Sequence, residues 1–144
     1  MSGNTTGGFT LATNGTVPFE NLVSTPNDTR LSLVGGNIVI ADTGVYQIEI
    51  GVMPITATAT ALSFAVGING GVNVMQRNID AETAAQPPIF MFCQSMIISI
   101  VVNPTTLTLV NRGSSININT FRGNAGMTNR GICAFMTIIK LGSL

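Results

Sequence analysis

The chain has 144 residues, of which 8% are charged, six basic and six acidic, with no His, no Trp and two Cys. That length suits one domain; zero net charge without a run of Lys or Arg removes the counterion release on which nucleic-acid binding depends, and the longest apolar stretch, 89–102, is too short and too polar to cross a bilayer of about 30 Å. Soluble domains usually carry about 25% charged residues, so this surface is covered either by Asn, Thr, Ser and Gly or by a second copy of the chain.

Residues 1–8 (Met-Ser-Gly-Asn-Thr-Thr-Gly-Gly) hold neither the positive nor the apolar region of a secretory signal and read as a flexible N-terminal tail. A domain is expected over 9–141, with a C-terminal tail at 142–144. No window sustains helical apolar spacing, whereas two-residue alternation recurs with β-branched residues between Gly, Asn and Pro. Strands are predicted at 9–12, 29–34 and 37–40. The next is entered from the Ala41-Asp42-Thr43-Gly44 turn and places Tyr46, Ile48, Ile50 and Val52 on one face. Leu62, Phe64, Val66 and Ile68 alternate into Asn69-Gly70-Gly71, a hairpin signal leading to 72–74. After a long loop at 78–88, strands follow at 89–102, 105–111, 115–120 and 131–141, with a glycine-rich loop at 124–130. About ten short antiparallel strands make an all-β sandwich or barrel.

Two of these strands break the one-face rule. In 89–102, Phe90, Phe92, Met96, Ile98 and Ile100 oppose Ile89, Met91, Cys93, Ile97 and Val101; in 131–141, Ile132, Ala134, Met136 and Ile138 oppose Cys133, Phe135, Ile139 and Leu141. A strand apolar on both faces is covered on both. Without helices, the economical cover is another copy of the chain; the alternative is a strand central to a closed barrel with scattered exposed aliphatics. The candidate interface and core set is Tyr46, Phe90, Phe92, Met96, Ile98, Cys133, Phe135, Ile139 and Leu141.

Chemistry is thinly provided for. With no His, the available bases are six carboxylates, one Tyr and one Lys. Asp80-x-Glu82 beside Arg77 reads as a solvated loop rather than an oxygen-ligand cation site. Cys93 and Cys133, inside apolar runs and without a Cys-x-x-Cys partner, read as small buried hydrophobes rather than a disulfide or a zinc site. No catalytic, cofactor or metal residue is therefore expected. Asn4-Thr5-Thr6, Asn14-Gly15-Thr16 and Asn27-Asp28-Thr29 match the glycosylation pattern at the frequency chance supplies in so Asn- and Thr-rich a chain. Arg30, Arg77, Arg112, Arg122 and Arg130 read as structural, at strand ends or between protomers, rather than as contacts to an acidic ligand. With no Trp and one Tyr, an aromatic lectin groove is not expected.

Several short motifs carry a family resemblance: Val17-Pro18-Phe19, Asn37-Ile38-Val39-Ile40, Thr43-Gly44-Val45-Tyr46-Gln47-Ile48, the 62–68 strand with Asn69-Gly70, and a closing Ala-x-Met-x-Ile-Ile-Lys-Leu strand from Ala134 to Leu141. Over 9–141 the chain resembles the trimeric jelly roll of the complement-q head and tumour necrosis factor. Its Thr-Ala-rich stretch and scarce charges look most like the carboxy-terminal heads of collagen-like glycoproteins of the bacterial spore surface, the exosporium. It departs from complement-q heads at Asn103-Pro104-Thr105-Thr106, where those often have Gly-Asp, and no Gly-x-y repeat precedes residue 9. The resemblance implies a compact homotrimer with a structural and adhesive role and no enzymatic one. Its partners would be itself and basal-layer or host surface components, without nucleic acid or membrane insertion. The alternative is a trimeric phage or viral fibre or capsid jelly roll.

Overall fold

Where large aliphatics occupy every second position, a pleated strand buries one face, and two such faces laid together make a core. The computed structural model describes residues 2–5, 9–23, 28–52, 54–55, 61–80, 92–118 and 134–144. Among these, the elements are β1 (Ser2–Thr5), β2 (Phe9–Leu11), β3 (Asn21–Val23), β4 (Leu31–Val34), β5 (Asn37–Ile40), β6 (Gly44–Val52), β7 (Pro54–Ile55), β8 (Ala61–Ile68), β9 (Val72–Asp80), β10 (Phe92–Ile100), β11 (Thr105–Asn111), β12 (Ile116–Ile118) and β13 (Ala134–Gly142), with no helix among the described residues.

The strands pair antiparallel in two five-stranded sheets, β10-β6-β13-β1-β3 and β4-β5-β11-β8-β9, with a small third sheet β2-β12-β7. The first sheet turns Tyr46, Ile48, Ile50, Ile98, Ile100, Met136 and Ile138 inward, and the second contributes Leu31, Ile38, Ile40, Phe64, Val66, Leu107 and Leu109 to the same buried cluster. Burial alternates along β11 from Thr105 to Asn111 and along β13 from Ala134 to Ile138, as the sequence period requires. The β8–β9 hairpin turns through Asn69 (φ 49°) and Gly70 (φ 74°), left-handed conformations that Asn tolerates and Gly adopts freely. The Asn69 side-chain oxygen accepts a hydrogen bond from the Thr106 amide at 2.8 Å and fastens the turn to β11.

The structure departs from the sequence reading at several points. Ser2–Thr5, expected in a flexible tail, form β1 between β3 and β13; ladder pairing joins backbone groups and needs no apolar side chain. Phe9 therefore does not open the first strand. The domain also runs past 141, since β13 ends at Gly142. The loop expected from residue 78 begins later, because β9 continues to Asp80, paired with Ala61. β3 and β7 are further strands too short to show a period. Residues 81–91 and 119–133, with the rest of both expected loops, lie outside the described residues.

One polar residue on the core side is structurally decisive. Asn111 closes the inward series of β11 and is fully buried. Its amide donates to the carbonyls of Leu11 (3.2 Å), Ala12 (3.2 Å) and Ser114 (2.8 Å), and its side-chain oxygen accepts from the Gly113 amide at 3.0 Å. A buried amide so fully satisfied rigidifies what it joins, here the 11–15 loop and the 112–114 turn.

Candidate functional site

β6, β10 and β13 lie side by side in the first sheet, in a register that fixes which residues share its outer face. Cys93, Gly51 and Phe135 form one row; Ser95, Glu49 and Thr137 the next; Ile97, Gln47 and Ile139 a third. Gln47 donates across to Ser95 Oγ at 3.3 Å. Ile97 is 65% exposed, Ile139 47% and Leu141 51%, with Val23 on β3 at 59%. Large aliphatics at such exposure on one face are an unpartnered apolar surface. Glu49 is the only charged side chain in these three rows.

The predicted set divides between the two sides of this sheet. Tyr46 and Ile98 are buried in the core, and Met96 packs against it half-buried. Ile139 lies on the outer face, as does half-buried Phe135, and exposed Leu141 sits at the bulge where the pairing of β13 with β6 shifts register. The Phe135 ring packs against Gly51: a Cβ at that glycine would collide with the ring's Cε1. The opposition of faces read along these two strands, β10 and β13, is the arrangement found from Cys93 to Ile100 and from Ala134 to Ile139. Phe92 is placed opposite Val52 in β10; Phe90 and Cys133 lie outside the described residues.

Cys93, expected to be buried, is an exposed free thiol. Its odd position in β10 directs it away from the core. Partial desolvation, then the nearby Glu49 charge, pushes its pKa above the usual thiol value, which holds it protonated and weakly nucleophilic.

The ionisable residues at the β5–β6 turn form a clamp. Lys140 Nζ lies 2.5 Å from Asp42 Oδ2 and 6.0 Å from the Tyr46 ring centre, while the Tyr46 hydroxyl donates to the Asp42 carbonyl at 3.1 Å. The Lys140 hydrogen bond holds the Asp42 carboxyl below its usual range, and burial pushes the Tyr46 phenol up. A carboxylate committed to an ammonium and a phenol committed to a carbonyl tie the turn to β13. Arg30 is likewise engaged, with Nε and Nη2 on the two Asp28 oxygens at 2.9 and 2.6 Å. Among the described residues no three His, Cys, Asp or Glu side chains come together. Asp80 is the last residue of β9, and Glu82 lies outside the described residues.

The architecture is similar to a solved structure described as Eiger TNF from S. frugiperda, with a TM-score of 0.66 and 14% identity over 99% of this chain and 90% of that one. Two family 35 carbohydrate-binding modules, one from an environmental isolate and one from Cellvibrio japonicus Abf62, overlap much less, with TM-scores of 0.41 and 0.35 at 13% and 12% identity. The first covers 100% of this chain and 99% of its own, the second 95% and 99%. No protein-family model matches the sequence, and no curated protein matches it. The chain has a tumour-necrosis-factor-like jelly-roll fold.

Proposed function

We propose that this chain is a non-enzymatic head domain that assembles as a homotrimer through the outer face of its first sheet. In this reading it serves as the structural and adhesive tip of a collagen-like glycoprotein on the bacterial spore surface. The observation that supports it most is that face: Ile97, Ile139, Leu141 and Val23, each about half exposed or more, on the same sheet. In a chain with 8% charged residues, a second copy is the economical cover. The Phe135 ring on Gly51 gives that surface a fixed relief suited to close packing. Assignment to a spore surface rests on the resemblance of the sequence motifs, and basal-layer or host components would be the external partners.

Light scattering coupled to gel filtration tests the assembly: a mass about three times 15.0 kDa is expected, and a mass near that of one chain at micromolar concentration overturns it. Gene neighbourhood tests the setting. A Gly-x-y repeat or sporulation genes beside this one support the spore-surface role, whereas tail or capsid genes would replace it with a phage or viral fibre.

A further inference from the structure

The second sheet carries a different kind of surface at the end locked by Asn111. A cavity of about 270 Å³ opens there, lined by Asn14, Thr16, Gly67, Thr108 and Arg112 among others. Its floor follows from register: Thr108 pairs with Gly67, an outward position of β8 that carries no side chain. Its walls come from the two segments that Asn111 joins. The Asn14 amide donates to the Asn111 carbonyl at 2.7 Å, the Asn111 amide to the Gly15 carbonyl at 2.9 Å, and the Arg112 amide to the Ser63 carbonyl at 2.7 Å. Thr16 forms a β-bridge with Val110. The backbone of both walls is therefore fixed before any ligand arrives, which lowers the entropic cost of binding.

Arg112 sets the chemistry. Among the cationic side chains described, Arg30 is matched by Asp28 and Lys140 by Asp42, whereas Arg112 is exposed and donates through Nη1 to the neutral Asn14 Oδ1 at 2.5 Å. That contact steers the guanidinium across the cavity without neutralising it and leaves its other donors for a planar anion. The Thr16 and Thr108 hydroxyls and the Asn14 amide, all lining residues, add neutral donors and acceptors of the kind that match sugar hydroxyls. Asn14-Gly15-Thr16, which the sequence offers as a chance glycosylation pattern, thus supplies two of the lining residues.

We infer that this cavity binds a small hydroxylated carboxylate of hexuronic-acid type, held by Arg112 on the carboxylate and by Asn14, Thr16 and Thr108 on the ring hydroxyls. At about 270 Å³ it falls just short of the roughly 300–1,000 Å³ that accommodate drug-sized ligands, so one sugar ring fits and an oligosaccharide would extend outside. Recognition relies on charge and hydrogen bonds and needs no aromatic platform. The free acid and the terminal residue of a glycan share this chemistry. The site lies on the sheet opposite the proposed trimer face and does not depend on assembly.

The test is an amide-shift titration of the intact chain with D-glucuronate, its methyl glycoside, D-glucose and acetate. Glucuronate is expected to shift the amides of Asn14, Thr108 and Arg112 with a dissociation constant on the order of 1 mM. Glucose, lacking the carboxylate, and acetate, lacking the ring, should each bind about tenfold more weakly or worse. Arg112→Ala should weaken glucuronate by about tenfold or more, with Arg112→Lys in between because a point charge replaces the fork. Methyl glycoside binding equal to the acid supports a glycan end, and a much weaker one supports the free acid. Equal binding of glucose or acetate, an unaltered Arg112→Ala, or no shift at about ten times that concentration overturns the inference.

Discussion

The two sheets of the sandwich bury nearly interchangeable faces and expose very different ones. Inward, each contributes Ile, Leu, Val or Phe at alternate positions to a single core. Outward, the first sheet presents Ile97, Phe135 and Ile139 around one carboxylate, while the second presents Ser32, Val34, Val39, Thr106, Thr108 and Val110. Inward residues answer to the fold and are constrained alike; outward residues are free to differ. Their difference here, large aliphatics and a Phe on one face against Ser, Thr and Val on the other, is what the proposed assembly through the first sheet would use.

Substitutions at neighbouring positions can break this comparison. The largest effect is expected within β13 itself: Ile138→Ala, in the core, should lower stability by about 2–5 kcal/mol at any protein concentration. Ile139→Ala, one residue along and on the outer face, should change it by no more than about 0.5 kcal/mol at dilutions where the protein is monomeric and by more where it is assembled. Denaturant titration at two protein concentrations separates the cases, and an equal, concentration-independent loss for both would remove the distinction.

Next in size is a charge placed on each outer face. Ile97→Asp or Ile139→Lys should shift the assembly to monomer, because an unpaired charge buried at an interface costs several kcal/mol. Thr106→Lys on the second sheet should leave the mass unchanged, and dissociation by all three would show that the apolar face has no special role. A smaller effect is expected from Gly51→Ala, whose methyl displaces the Phe135 ring and roughens the surface while the core stays intact. It should weaken assembly by about tenfold or less, about 1 kcal/mol, with the monomer's near-ultraviolet spectrum altered only at Phe.

The mildest test is pH. Asp42 is held below its ordinary value of 3.8 by Lys140, so its stabilisation is present above that pH and is lost as pH falls through the depressed folded value. Tyr46 is raised above 10.0 by burial; its contribution is full below that pH and is lost as pH rises through the elevated folded value. Asp42→Asn should flatten the acid limb of a melting-temperature profile and Tyr46→Phe the alkaline limb. An unchanged profile in either variant would show that the clamp is not what those limbs report.

Much of the sandwich is legible in the sequence because large residues alternate over long strands: Tyr46 to Val52, Leu62 to Ile68 and Met136 to Ile138 show their faces in the order of their letters. The opposition of Ile138 and Ile139 is equally plain. β1 is not legible, since Ser2-Gly3-Asn4-Thr5 has no apolar period and is held by pairing with β13 and β3 from distant parts of the chain. The cavity was missed for a related reason: Asn14 and Arg112 are nearly a hundred residues apart, at 98, and no local pattern joins them. One signal was available. Thr105, Leu107, Leu109 and Asn111 share the inward parity of β11, and an Asn there demands partners that only loops can supply.

Among the described residues β10 stands at the margin of the first sheet, nine residues long, with neither a charge nor a proline between Phe92 and Ile100. A strand with an open row of amides and carbonyls and none of the usual gatekeepers is a template for indiscriminate pairing. In the proposed assembly, self-recognition and aggregation would compete for neighbouring parts of the same sheet. If the chain assembles as proposed, a protomer without its partners is the species at risk, and synthesis close to sister chains would protect it.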